Sequence, residues 1–241
     1  MRALLKLSGQ VLKGSGSDVV DRDYLWQLAE VIKQVQDAGH QLAIVVGGGN
    51  LFRFYKTRRS PQDEKLNRTL ADGRGILGTL FNGLWLQDVL QASGVKSELF
   101  TSAFADTRYV QPYSDTAVAT AVESGTIAIL AGGTGKPGLS TDTASIQVAA
   151  AIHAEAILKA THTVDGVYTA DPSKNPEAVK IADLSYQRAL TENLGIMDEE
   201  ALKQANDANL TTIVFSIKDP ANLTKVLNGE TIGSIITPEA K

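Results

Sequence analysis

The chain has 241 residues, 43% hydrophobic and 21% charged, a composition that suits a water-soluble globular protein with room for one large α/β domain or two small ones. It contains no cysteine, which excludes disulfides, zinc–thiolate sites and cysteine nucleophiles, and its three histidines, at 40, 153 and 162, are too scattered for a histidine metal site. A formal charge of −4 argues against a broad nucleic-acid surface, and the apolar part of the opening run MRALLKLSG is too short for a signal peptide or a membrane span. No nucleic-acid partner, no membrane partner and a cytoplasmic location are therefore expected.

Apolar runs alternate with helical patterns along the chain. Residues 3–7 read as a strand, and 21–38 as a helix, with Leu25, Leu28, Ala29, Ile32 and Val35 at helical spacing and Gly39 as its stop. A second buried strand over 42–46 runs into Gly47-Gly48-Gly49-Asn50. A polar, basic stretch carrying Lys56, Arg58, Arg59, Lys65 and Arg68 leads to a long helix over about 70–92. Strands are predicted near 95–101 and 126–131, a helix over 141 to about 153, and a strand over 156–160. Residues 164–171 read as a short hairpin or loop excursion. Helices near 185–192 and 198–209, a strand over 212–217, a helix from Pro220 and a final strand over 232–236 complete the pattern. Such alternation predicts a three-layer αβα sandwich around a mostly parallel, doubly wound sheet, with ligand sites where loops leave the strand C-termini. No linker-like segment divides the chain, so one domain is expected, with an N-terminal lobe over about 1–150 and a C-terminal lobe over about 151–241.

The richest segment is 126–144, TIAILAGGTGKPGLSTDTA. An apolar run ends in Gly132, Gly133, Gly135 and Gly138, and Ser140-Thr141-Asp142 opens a helical pattern. Glycines let backbone N–H groups approach phosphate oxygens, and a helix start adds unpaired donors and a favourable dipole. The spacing Gly133-x-Gly135-x-x-Gly138 matches a dinucleotide fingerprint formally, with Glu155 near the distance of a ribose acid, which keeps an NAD-dependent dehydrogenase open. Its helix starts after the third glycine, however, whereas the fingerprint starts it within the glycine run. No P-loop pattern occurs, since Pro137 follows Gly135-Lys136. Two more anion-binding candidates stand at strand ends: Lys6-Leu7-Ser8-Gly9, and the glycine triplet with Arg53 one turn beyond it. In 164–172, VDGVYTADP, Tyr168 suits an adenine pocket and Asp171 a ribose hydroxyl, although Asp-Gly and Pro172 also suit a plain hairpin. His40 and His153 follow or end helices, where they suit the dipole rather than catalysis.

Taken in order, KLSG at 6–9, GGGNLFR at 47–53, NR with DGRGIL at 67–77, Asn82-Gly83-Leu84, GTGKPGLSTDTA at 133–144, VDGVYTADP at 164–172 and Met197-Asp198 resemble the amino-acid-kinase family, and within it the bacterial uridylate kinases. The similarity runs over essentially the whole chain, including the final GSII strand. The resemblance implies an enzyme that phosphorylates UMP to UDP with ATP and Mg2+ as cofactors, working as a homo-oligomer, a hexamer in many relatives. It assigns Lys6, Leu7, Ser8, Gly9, Gly49 and Arg53 to the ATP phosphates, and Thr161, Tyr168 and Asp171 to the rest of ATP. Gly48, Asp72, Thr134, Gly135, Lys136, Pro137, Gly138, Leu139, Ser140 and Thr141 fall to UMP. Lys6, Arg53, Asp142 and Asp198 make up the implied catalytic set, with Asp142 orienting Lys6 and helping to place Mg2+; no metal cage of protein ligands is implied.

The chemistry accounts for these residue types. A nucleoside monophosphate has a second pKa near ~6, so its attacking oxygen is largely ionised at neutral pH and needs no general base. Catalysis then reduces to aligning two anions and neutralising charge on the transferring group. The chain departs from the family pattern at Gln10, where glutamate is usual, and at Gly138-Leu139-Ser140 in the uracil segment. Glu98 and Thr126 stand near the places where arginines of a GTP effector site are expected. Two alternatives stay open: a kinase of the same fold acting on a carboxylate, carbamate or isopentenyl phosphate, and a catalytically silent nucleotide-binding protein.

Overall fold

The computed structural model describes residues 1–13, 18–52, 66–104, 108–136 and 138–239. Its elements in chain order are β1 (Arg2–Leu7), α1 (Gly9–Lys13), α2 (Arg22–Asp37), β2 (Gln41–Val46), α3 (Arg68–Ala92), β3 (Ser97–Thr101), β4 (Gln111–Pro112), α4 (Asp115–Glu123), β5 (Ile127–Ala131) and α5 (Thr141–Ala151). Then come β6 (Ala156–Thr161), β7 (Val167–Tyr168), β8 (Lys180–Ile181), β9 (Asp183–Ser185), α6 (Tyr186–Thr191), α7 (Glu199–Asp207), β10 (Thr211–Ser216), α8 (Asn222–Leu227) and β11 (Ser234–Thr237).

Nine strands form one sheet in the order β4-β3-β5-β2-β1-β6-β10-β11-β9. All neighbours are parallel except β10 and β11, so the predicted mostly parallel sheet carries one antiparallel step. Period-2 alternation sorts β1 between two apolar layers: Ala3, Leu5 and Leu7 join one, Leu4 the other. Helices α1, α2, α3 and α8 cover the first face, and α4, α5, α6 and α7 the second, which is the αβα sandwich.

Local chemistry explains why the helices start where they do. The Asp21 carboxylate accepts from the Tyr24 N–H at 3.0 Å and caps α2, an interaction worth about 1 kcal/mol. Ser140 caps α5 and Asp198 caps α7 in the same way. Gly78 and Gly83 lie inside α3, where each glycine costs roughly 1 kcal/mol of helix propensity. Close packing explains their presence. A Cβ on Gly83 would stand 2.8 Å from a methyl of Leu99, and one on Gly78 3.3 Å from the carbonyl of Gly48.

Predicted boundaries agree with these elements to within a few residues. The hairpin near 164–171 proves larger, since β7 pairs antiparallel with β8, Val167 opposite Ile181 and Tyr168 opposite Lys180. Helix α4 and strands β4, β8 and β9 lie outside the elements that apolar periodicity marks.

Candidate active site

The sheet changes winding direction at β1, whose neighbours β2 and β6 lie on either side, and the crevice beyond such a switch point is where open α/β sheets bind ligands. Lys6 and Lys159 occupy one rung of the β1–β6 register, so both side chains share a face. Alternation directs that face toward α5. There the Lys6 and Lys159 ammonium groups each lie 2.8 Å from Oδ1 of Asp142, in the first turn of α5. All three side chains are largely buried, with 11 to 16% of their surface exposed.

Burial alone would raise the Asp142 pKa, but the two ammonium groups outweigh it and hold the carboxyl well below its usual range. The Lys159 pKa is pushed down to about 8, first by burial and then by the charge of Lys6, with Asp142 opposing both. The cluster carries two cations and one anion, a net positive charge held at the strand ends where a phosphate can reach it.

One wall of the cleft on the N-terminal side is the glycine turn after β2. The Gly47 N–H donates to the Leu7 carbonyl at 2.8 Å, and the carbonyl of Gly48 accepts from the N–H groups of Leu51 and Phe52, both at 3.1 Å. A Cβ on Gly48 would stand 2.7 Å from the Gly75 carbonyl and 2.9 Å from the Thr79 nitrogen, so only glycine lets α3 approach. The Gln10 side-chain amide donates to the Gly49 carbonyl at 3.1 Å, a bond that the glutamate usual at this position could not make. Ser8 accepts weakly from the Val11 N–H at 3.4 Å, and Gly9 opens α1 against the turn.

The opposite wall is the loop after β5. Gly132, Gly133, Gly135 and Gly138 all have positive φ, which glycine adopts without strain. Thr79, buried on α3, accepts from the Gly132 N–H and donates to the Ile76 carbonyl, both at 2.7 Å. The two walls enclose a cleft of about 500 Å3 lined by Gly48, Phe52, Asp72, Thr134, Leu139 and Thr141 among others. Gly49, Lys136 and Ser140 also border it. Asp72 bridges the walls: one oxygen accepts from Arg68 and the other from the Gly138 N–H, each at 3.0 Å. The Ser140 hydroxyl is fully used, accepting from the N–H groups of Asp142 and Thr143 and donating to Asp198. Asp198 spends its other oxygen on the Ala201 N–H at 2.9 Å.

A second cleft, of about 660 Å3, opens beside Lys159 and is lined by Thr161, Gly166, Tyr168, Asp171 and Gly195. The Tyr168 hydroxyl donates to Asp165 at 2.6 Å, and Asp171 accepts from the Ser173 N–H and hydroxyl. The Thr161 hydroxyl is directed to the Val164 and Phe215 carbonyls.

Of the residues expected at the site, Arg53 and Pro137 lie outside the described residues, as do Lys56, Arg58, Arg59 and Lys65 of the basic stretch. The remaining ones gather around the two clefts and the buried cluster. Lys159 and Thr79 join them without having been singled out, and so does Gln10, marked in the sequence only as a departure from the family pattern. The clue to Lys159 was a lysine inside the apolar strand pattern AILKAT, a position where a charge needs a partner.

Among the described residues no three His, Cys, Asp or Glu side chains are grouped to hold a metal ion, and no helix is long and apolar enough to cross a membrane.

Glycine-lined strand ends, a helix start and a buried lysine–aspartate–lysine cluster give the chain two clefts beside a net positive charge, an arrangement suited to anionic ligands. Residues 1–216 match the amino acid kinase family, and the chain belongs to that family. It is 41% identical over 238 residues to a uridylate kinase of Arthrobacter sp. (strain FB24), covering 98% of this chain and 94% of the relative. It is 39% identical over 236 residues to a uridylate kinase of Bifidobacterium longum (strain NCC 2705), with the same coverage. The crystal structure of UMP kinase from Bacillus anthracis superposes with a TM-score of 0.91 at 33% identity, covering 99% of this chain and 96% of that one. UMP kinase from Ureaplasma parvum gives 0.88 at 31% identity, covering 98% of each.

Proposed function

We infer that this chain is a uridylate kinase: it moves the terminal phosphoryl group of ATP onto the phosphate of UMP, giving UDP and ADP. The observation that carries the reading is the Lys6–Asp142–Lys159 cluster, because Lys159 borders one cleft while Thr141, next to Asp142, borders the other. The N-terminal half supplies the UMP side and the C-terminal half the ATP side.

UMP binds in the cleft between α3 and the 132–141 loop. Its phosphate meets the Gly48 amide and the start of α5, its ribose meets Asp72, and its base lies against residues 134–139. ATP phosphates meet Lys6, Ser8, Gly9, Gly49 and Arg53 past Leu7, and its adenosine lies along Thr161, Tyr168 and Asp171. The UMP oxygen is already ionised and attacks the γ-phosphorus directly; the bond to the ADP oxygen breaks as the new one forms. Lys6 and Lys159 neutralise charge gathering on the transferring group, and Asp142 holds both ammonium groups in register. Asp198 serves the reaction by fixing the Ser140 hydroxyl at the start of α5.

Mg2+ bound together with ATP would supply positive charge that offsets part of the charge on the phosphates. Asp142, a hard-oxygen carboxylate that bonds both lysines through Oδ1, is the residue that would help to hold it.

We also propose a cytoplasmic homo-oligomer, hexameric by resemblance. Leu77, Phe81 and Leu84 are all exposed, and their spacing along α3 gives one apolar helix face suited to burial against another copy.

Coupled measurement of UDP formation tests the reading. Turnover with UMP should exceed that with CMP or dTMP, and preference for a carboxylate, carbamate or isopentenyl phosphate acceptor would sink it. Adding GTP or UTP to the same assay reads any effector, including one at the cleft of about 840 Å3 bordered by Glu98 and Thr126.

A further inference from the structure

The Asn82-Gly83 pair on α3 has no role in the chemistry above, yet Asn82 is completely buried. Its amide nitrogen donates to the Gly47 carbonyl at 2.7 Å and to the side-chain oxygen of Asn50 at 2.7 Å. In return the Asn50 amide donates to Asn82 Oδ1 at 3.0 Å and to the Val19 carbonyl at 2.8 Å. Gly83 keeps α3 close enough for this grip, since a Cβ there would collide with Leu99.

The Gly47 carbonyl and the Gly48 N–H belong to one planar trans peptide unit and point in opposite directions. Whatever grips the carbonyl therefore aims the amide. The Gly48 N–H has no partner among the described residues, although Gly48 is buried and borders the N-terminal cleft. A buried, unpaired donor is costly unless a ligand takes it up.

We propose that Asn82 is a positioning residue for phosphoryl transfer: braced by Asn50, it holds the Gly47–Gly48 peptide so that the Gly48 N–H faces the acceptor phosphate. The proposal rests on the reading of the N-terminal cleft as the UMP side. Asn50 adds a brace to the segment at Val19, so the two asparagines act as one unit on the turn.

Asn82→Ala should leave a folded protein, by circular dichroism, whose kcat/KM for UMP falls at least 30-fold while KM for ATP changes less than threefold. A merely structural residue would lower Tm and leave the kinetics of the folded fraction intact. Asn50→Ala should cost less, and the double variant should be no worse than Asn82→Ala. Asn50→Asp loses both bonds that the Asn50 amide donates, to Asn82 Oδ1 and to the Val19 carbonyl, and should cost at least as much as Asn50→Ala. If Asn82→Ala does not fold, Asn82→Asp, similar in volume but lacking the donor, takes its place with the same expectation. A kcat/KM for UMP within threefold of wild type in a folded Asn82 variant, or fully additive losses in the double variant, would overturn the proposal.

Nitrogen-15 NMR of the ligand-free protein separates this claim from the acceptor assignment. The Gly48 amide signal should move in Asn82→Ala and move less in Asn50→Ala, whatever the wild type phosphorylates. An unmoved Gly48 signal in Asn82→Ala overturns the positioning role, whereas a wild type making no UDP overturns only the acceptor assignment.

Discussion

The two clefts are built by different means. On the N-terminal side the walls are backbone: a glycine turn pressed on α3, and a loop with four positive-φ glycines tied down by Thr79 and Asp72. On the C-terminal side they are side chains of an excursion between β6 and α6, where Tyr168 and Asp171 bond to near neighbours in sequence and stand partly in water. The first design fixes a ligand by fit that a single methyl group disturbs. The second is assembled locally and tolerates substitution. The buried cluster belongs to neither, since Lys6, Asp142 and Lys159 arrive from three separate elements.

The cluster offers the sharpest way to break that contrast. Lys6→Ala should lower kcat on the order of 100-fold or more, with modest change in UMP affinity, because it removes charge stabilisation and leaves the Asp142–Lys159 pair in place. Steady-state kinetics check it, and undiminished turnover would end the charge-neutralisation mechanism. Gly48→Ala should cost at least tenfold in kcat/KM for UMP, since its Cβ would meet backbone that cannot step aside. An equal loss for ATP would erase the division between the walls. Asp72→Asn should raise the UMP KM about fivefold to tenfold through loss of charge toward Arg68 and the ribose, with the ATP KM steady. Tyr168→Phe should change the ATP KM no more than about threefold, because its one described bond is to an exposed neighbour.

A pH series tests the cluster from another direction. With Lys159 at about 8 in the folded chain and about 10.5 as its ordinary value, the unfolded chain binds more protons between those limits. Stability should therefore rise from pH 8 toward 10.5. Over the same window kcat/KM for ATP should fall, as the ammonium that the transferring group needs is lost. Thermal melts and initial rates measured together separate the two trends. Lys159→Arg should remove both, because a guanidinium keeps its proton throughout that range.

Much of this was legible in the sequence where chemistry is local. The 3.6-residue period of Leu25, Leu28, Ile32 and Val35 gave α2, and the glycine clusters at strand ends marked where ligands approach. Helix α4 escaped because DTAVATAVE mixes small and β-branched residues without an apolar stripe, and only burial of Val118, Ala121 and Val122 settles it. Strand β9, three residues long, exists through its pairing with β11, which no local pattern announces. Lys159 could be seen as odd but not as a partner of Lys6, since a shared rung depends on strand register. Asp72 was legible only through the family resemblance, which gives it to UMP, while its grip on Gly138 across the cleft required the folded loop.

The rung joining Lys6 to Lys159 has a consequence for how the protein comes into being. The two lysines come from far-apart stretches of the chain, and a ribosome delivers the first long before the second. Until β6 has emerged and inserted beside β1, the nascent polypeptide has one ammonium of the pair and no neighbouring strand on that side of β1. Phosphotransfer is thus a property that arrives late in synthesis, at the closing of a long-range contact of the kind that slows folding. A chain cut short before that strand lacks Lys159, and with it the second ammonium beside Asp142.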